Sequence, residues 1–190
     1  IIFYNLNYYS KNILEIFMIW KGGMSFHGGL LGVIIATYIF SRRNKIKTFI
    51  FLDLISMSAP IGIFLGRIAN FINGELYGLP TEKPWGIIFP KIDNLARHPS
   101  QLYEAVLEGI ILFLILNFFL LKKIFNYGKI SFLFLILYGI FRILSEQFRQ
   151  PDEHIGYLMG YLSVGSILSI GMILFGILFL LKSNPNEKNK

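Results

Sequence analysis

The sequence predicts an all-α protein, a polytopic bundle of transmembrane helices with an outward-facing arm and loop, and three observations carry that prediction. Of its 190 residues, 54% fall in the hydrophobic class and 16% are aromatic, with a mean hydropathy of +0.58. A soluble domain of this length is less apolar and more charged. Apolar runs near the length that crosses a bilayer recur along the chain, separated by short polar or basic segments. The basic residues punctuate those runs and build no basic domain, so the net charge of +7 reads as positive-inside topology and not as a nucleic-acid surface. A buried helix of a soluble protein accounts for one such run, but not for five.

We read residues 1–190 as a single integral-membrane domain with five spans. Residues 1–23 alternate aromatic and polar positions and are too short to cross. Tyr4, Tyr8, Tyr9, Phe17 and Trp20 mark them as an arm at the outer interface. The chain opens Ile1-Ile2-Phe3-Tyr4, without methionine or a basic leader, as a fragment or processed form does. The first span covers about 24–40 and is followed by Arg42, Arg43, Lys45 and Lys47. The second covers about 49–72. Residues 73–100 form a longer polar loop rich in proline and glycine. The third span, about 102–121, ends at Lys122, Lys123 and Lys129; the fourth is about 130–148 and the fifth about 157–181. The tail, 182–190, has the composition of a disordered end. Basic clusters after the first, third and fifth spans fall on one side, the cytoplasmic one by the loop bias. Segments 1–23, 73–101 and 149–156 then face outward.

The chain contains no cysteine, which excludes disulfides, thiolate metal sites and a cysteine nucleophile of its own. Any thiol in its chemistry belongs to a substrate. No spacing of histidine, aspartate and glutamate makes a metal site, and no cofactor is expected.

Polar groups inside an apolar run are costly and usually face a protein interior or a wet cavity. The stretch from Gly66 to Gly78 contains Arg67, Asn70, Asn73 and Glu75. On a helix Arg67, Asn70 and Gly74 share one face, and the glycine lets a ligand or second helix approach. Arg67 can form two parallel hydrogen bonds to a phosphate, or else a buried pair with Glu75 that holds the loop. In the fourth span Tyr138, Arg142 and Glu146 recur every four residues as a polar stripe, extended outward by Arg149. Arg142 and Glu146 can pair along the helix, and the stripe reads either as a packing seam or as part of a site. Two spans each presenting an arginine favour one shared anionic ligand.

His27 lies in Gly22-Gly23-Met24-Ser25-Phe26-His27-Gly28-Gly29 at the outward mouth of the first span. It is a candidate general base for a thiol or hydroxyl, and equally a hydrogen-bonded packing element. Ser25 lacks the strand–turn–helix context of a serine nucleophile. Ahead of the third span, Ser100 reads as a helix cap with Glu104 in the first turn, while Glu104 and Glu108 lie four apart on one face. Asp53 is either interfacial or paired with another helix.

Together these segments closely resemble the bacterial prolipoprotein diacylglyceryl transferases. The matching pieces are the glycine-flanked His27 segment, Gly66 to Gly78, His98-Pro99-Ser100-Gln101-Leu102-Tyr103-Glu104, and Tyr138 through Arg142 to Arg149-Gln150-Pro151-Asp152. Four motifs in one order cover nearly the whole chain. The resemblance implies a seven-span inner-membrane bundle whose last five spans are these, with an outward active site and a cytoplasmic C-terminus. It implies transfer of the diacylglyceryl group of phosphatidylglycerol to the lipobox cysteine of a prolipoprotein, with glycerol-1-phosphate leaving. By motif position Arg67 binds the lipid headgroup, with Asn70, Glu75 and Gly78 shaping the site. Arg142 is the second essential cation, supported by Tyr138 and Glu146, and His27 is the candidate base. The expected partners are phosphatidylglycerol, prolipoprotein signal peptides and the bilayer, with no nucleic acid. The rival reading is a transporter or channel for an anionic solute using Arg67 and Arg142; the motifs and the lack of a recognisable inverted repeat weigh against it.

Overall fold

A computed structural model describes residues 26–122, 128–150 and 163–182, with side chains from residue 32 onward except that of Val164. The chain divides into two compact units, Ile1–Phe51 and Leu52–Lys190. In the first, helix α1 (Phe26–Arg43) covers the predicted first span. Its end is closed locally: Asn44 Nδ2 and the Ile46 amide donate to the Phe40 and Ser41 carbonyls at 2.9 and 3.0 Å, around Lys45 at φ 55°. Helix α2 (Thr48–Asn73) begins in this unit, where Phe51 meets Phe40 edge to face at 4.9 Å.

In the second unit α2 continues to Asn73 and stops in a glycine-terminated cap. The Gly74 amide donates to the Phe71 carbonyl at 3.1 Å and the Glu75 amide to the Asn70 carbonyl at 2.9 Å. This pair of bonds satisfies the last carbonyls when the residue after the helix is left-handed, and Gly74 has φ +74°. A Cβ on Gly74 would meet only Phe89, at an ordinary 3.7 Å. The glycine is accounted for by backbone conformation, and of the approaches expected from the sequence no second helix packs on it among the described residues.

The predicted polar loop contains a short antiparallel hairpin, β1 (Ile87–Ile88) and β2 (Ala96–Arg97), with Ile87 opposite Arg97 and Ile88 opposite Ala96. Helix α3 (Ser100–Leu121) follows. Pro99 occupies its N-cap without a side-chain bond, and the Ser100 hydroxyl donates instead to the Leu76 carbonyl at 3.1 Å. The capping role expected of Ser100 is thus replaced by a tie to the neighbouring loop. Helix α4 (Lys129–Glu146) and helix α5 (Val164–Lys182) complete the unit. Most of the region between them, 151–162, lies outside the described residues.

Within α3, residues Ala105–Ile111 form a wider π-helical stretch. Every fourth residue, Glu104, Glu108, Leu112 and Leu116, is buried. In a regular α-helix a period of four drifts by about 40° per step, at 3.6 residues per turn. The wider turns offset that drift and hold all four side chains on the inward face.

Leu112, Leu116 and Ile130 form the apolar centre, with Met57, Leu133, Leu137, Tyr138 and Phe141 packed around it. Helices α4 and α5 cross at glycines. A Cβ on Gly139 would lie 2.9 Å from the Ser169 carbonyl oxygen, and one on Gly176 2.9 Å from that of Phe132. Small residues permit such backbone contact in membrane bundles. Among the described residues three helical segments, Thr48–Asn73, Ser100–Leu121 and Gly165–Lys182, are long and apolar enough to cross a membrane. Large aliphatic side chains such as Leu65, Leu114 and Leu121 are exposed, while Glu104 and Glu108 are completely buried. That inversion belongs to a protein whose outer surface is solvated by lipid.

Candidate functional site

The last turns of α2 and α4 and the first turns of α3 bring one connected set of charges together. Glu104 is its centre. Its Oε2 lies 2.9 Å from Arg67 Nε, and its Oε1 lies 2.8 Å from Arg142 Nη1 and 3.5 Å from Arg149 Nη1. One turn along α3, Glu108 faces Arg67 Nη2 at 3.4 Å and Arg142 Nη1 at 3.6 Å, and Ser145 Oγ donates to it at 3.3 Å. Glu146 Oε2 meets Arg142 Nη2 at 2.8 Å, the pairing along the helix that the sequence predicts. Gly165 of α5 lies against that carboxylate, where a Cβ would come within 3.0 Å of Oε2.

Both glutamates have no exposed side-chain surface, and Arg67, Arg142 and Arg149 retain 16%, 12% and 9%. Three cations thus face three anions in a nearly dry space. Clustered guanidiniums repel one another strongly at low dielectric, and the glutamates make their assembly affordable. The fit is imperfect. Glu104 Oε2 and Glu146 Oε2 are within ion-pair range of arginines, yet neither accepts a well-aligned hydrogen bond. The attraction there is between charges at short range, without the alignment of a full hydrogen bond.

The sequence-predicted residues divide accordingly. Arg67, Arg142 and Glu146 are brought together, and the anions shared by the two arginines among the described residues are Glu104, at 2.9 and 2.8 Å, and more distantly Glu108. Arg67 does not pair with Glu75, contrary to the alternative weighed from the sequence: the guanidinium points into the bundle toward α3. Glu75 instead accepts from Asn70 Nδ2 at 3.2 Å, beside the cap that joins their backbones. Tyr138 stacks on Phe134 at 5.6 Å and lies within electrostatic range of Glu108 and Arg142. Gly78 fills a different need. A Cβ there would lie 2.3 Å from the His98 carbonyl oxygen and 2.7 Å from that of Phe148, because the Gly78 segment bridges to Arg149. His27 falls in the first turn of α1, its side chain outside the described ones, and Ser25 lies outside the described residues altogether.

Sequence reasoning missed Glu104 and Glu108 as members of the site, although two carboxylates four residues apart in an apolar run carry the same cost signal as Arg67. It also passed over Arg97. That side chain bonds Asp93 Oδ1 at 3.2 Å and the Gly78 carbonyl at 3.0 Å, and lies over the Tyr77 ring at 4.9 Å. The neighbouring guanidinium holds the Asp93 carboxyl below its usual range. Leu76 adopts φ +54°, a strained value for a branched side chain. It is held by Ser100 at its carbonyl and by Gln101 Nε2, which donates to the Glu75 carbonyl at 2.6 Å.

Beside the ion network is a cleft of about 630 Å³ between the first half of α3 and the end of α4, lined by Leu102, Val106, Leu107, Leu144 and Phe148. His98, Tyr103 and Trp85 form its polar margin, with Tyr103 Oη 3.1 Å from His98 Nδ1 and 2.9 Å from Trp85 Nε1.

The sequence profile described as prolipoprotein diacylglyceryl transferase matches residues 1–182. A protein of Rickettsia felis named phosphatidylglycerol–prolipoprotein diacylglyceryl transferase is 51% identical over 187 residues, covering 97% of this chain and 72% of its own length. Relatives of the same name from a Wolbachia of Culex pipiens and from Geobacter sulfurreducens are each 51% identical, over 184 and 177 residues. They cover 95% and 93% of this chain, and 70% and 68% of their own lengths.

Proposed function

The chain belongs to the prolipoprotein diacylglyceryl transferase family, and we infer that its arginine–glutamate network is where the diacylglyceryl group leaves phosphatidylglycerol. The protein is a membrane transferase of lipoprotein maturation, acting at the first step. Its lipid substrate is phosphatidylglycerol and its acceptor is the lipobox cysteine of a prolipoprotein. The chain sits in the bacterial inner membrane with its C-terminus in the cytoplasm and the ion network toward the outer face.

The chemistry sets what the site must do. A cysteine thiol with an ordinary pKa of about 8.5 is mostly protonated at neutral pH, so a base or a positive field must favour the thiolate. The sulfur then attacks the glyceryl carbon bonded to phosphate oxygen. The C–S bond forms, the C–O bond breaks, and the electron pair departs with glycerol-1-phosphate. A singly charged phosphodiester becomes a doubly charged monoester as the thiolate is consumed. Negative charge therefore concentrates on the phosphate, and fixed donors aimed there lower the barrier most.

The observation that carries this reading is that Arg67 and Arg142, from separate helices, converge on one carboxylate, with Arg149 beside them. Glu104 occupies the position of an internal counter-anion, holding guanidinium forks ready for a phosphate to share. Asn70 and Glu75 stiffen the cap that ends α2, and Gly78 lets the following segment close against Phe148. Tyr138 supports Arg142 from the apolar side. His27 is the candidate proton acceptor by motif position.

The test is direct. Purified protein, phosphatidylglycerol vesicles and a lipobox peptide should give a thioether-linked diacylglyceryl peptide and glycerol-1-phosphate in equal amounts. Binding of both substrates with no thioether product would refute the reading.

A further inference from the structure

Gln101 is fully buried in the first turn of α3, and its two amide ends are in different situations. Nε2 donates to the Glu75 carbonyl at 2.6 Å, which fixes the amide orientation, since only the nitrogen can donate there. Oε1 then points away and has no donor among the described residues. Buried acceptors are almost always satisfied, and an orphan asks for an explanation. This one lies on the same face of α3 as Glu104, three residues earlier. At 1.5 Å per residue that is about 4.5 Å along the axis, within the length of a glycerol unit from a phosphate held at the arginines.

Resting on the transferase reading, we propose that Gln101 Oε1 accepts a hydrogen bond from a headgroup hydroxyl of phosphatidylglycerol. This makes Gln101 the residue that selects a polyol headgroup. The phosphate carries acceptors only and cannot satisfy an amide oxygen, whereas the terminal glycerol brings two hydroxyl donors. A site built around an unpaired polar atom rejects a ligand that lacks the matching group far better than an apolar pocket rejects a different shape. The second end of the same amide ties the headgroup to the Glu75–Leu76 segment, whose strained Leu76 is held by Ser100. Gln101 thus joins headgroup recognition to the loop that follows α2.

The experiment compares phosphatidylglycerol with phosphatidyl-1-propanol, the same phosphodiester without headgroup hydroxyls, as donors to a lipobox peptide. The intact enzyme should prefer phosphatidylglycerol by about ten- to a hundredfold in kcat/KM, the loss that follows from leaving one buried acceptor unsatisfied. Gln101→Met should lower the phosphatidylglycerol value toward that of the propanol lipid and leave the latter nearly unchanged. Gln101→Asn, which withdraws the oxygen by one methylene yet stays polar, should shrink the same ratio and serves where the methionine variant does not fold. Equal use of both lipids by the intact enzyme overturns the proposal, as does an equal fall for both lipids in the variants, which is what a mere strut for Glu75 gives. Turnover of neither lipid by the intact enzyme overturns the transferase reading along with it.

Discussion

Asp53 and Glu104 are both buried carboxylates in the same helical unit, and they are satisfied in opposite ways. Asp53 of α2 accepts the Gly128 amide at 2.6 Å and the Ser131 amide at 2.8 Å. It caps the start of α4 from another helix, completing donors that a helix end always leaves open. Among the described residues Glu104 takes no backbone donor, and it is surrounded by Arg67, Arg142 and Arg149. A backbone amide has one place to be; a guanidinium on a long stem can turn to another anion. The first arrangement fixes α4, while the second keeps charge in reserve for a ligand. The contrast separates structural from functional burial more clearly than burial itself, since both carboxylates are hidden.

That contrast can be broken from either end. The largest effect is expected at the arginines: Arg67→Gln or Arg142→Gln should lower kcat/KM by about a hundred- to a thousandfold or more, the loss typical of one transition-state donor, while the protein remains folded in detergent. A variant with wild-type rates would remove that arginine from the mechanism. Glu104→Gln leaves three buried guanidiniums short of a counter-charge, and breaking a buried ion pair costs about 3–5 kcal/mol. Its melting temperature and its activity should fall together. Asp53→Asn should behave differently: it keeps one acceptor but turns an NH2 toward the other amide, losing about 1–2 kcal/mol, with the kcat of the folded fraction within a few-fold of normal. A catalytic collapse in Asp53→Asn would erase the distinction.

A smaller effect sharpens it outside the membrane. Asp93 titrates below its ordinary value of 3.8 because Arg97 bonds its carboxylate. Its contribution to stability is therefore complete above the unfolded pKa and is lost as the pH falls through the lower folded one. Asp93→Asn should flatten the acid limb of a melting curve near that range without changing turnover at neutral pH. An unchanged acid limb would show that the pair is screened to insignificance.

Much of this was legible in the residues. Long apolar runs with basic punctuation gave the helices, since hydropathy and length suffice where the solvent is hydrocarbon. The polar residues of the fourth span gave the Arg142–Glu146 pair, a contact one helix can specify. Other details required chain segments distant in sequence. Glu104 looked like a first-turn acid because its position before an apolar run suits that role, and its actual partners lie 37, 38 and 45 residues away. Gly74 and Gly78 looked alike as small residues, yet one supplies a left-handed turn and the other a space for two carbonyls.

By itself the sequence determined that this chain is a helical membrane protein of a particular transferase family with arginines where arginines are expensive. Local hydropathy, periodicity and motif order are properties of neighbouring residues and survive without a fold. Tertiary structure alone decided which anion those arginines meet, which amide oxygen is left without a donor, and which carboxylate caps a helix instead of holding a charge. Each of these depends on the direction in which a buried polar group points, and that direction is fixed only when the helices pack.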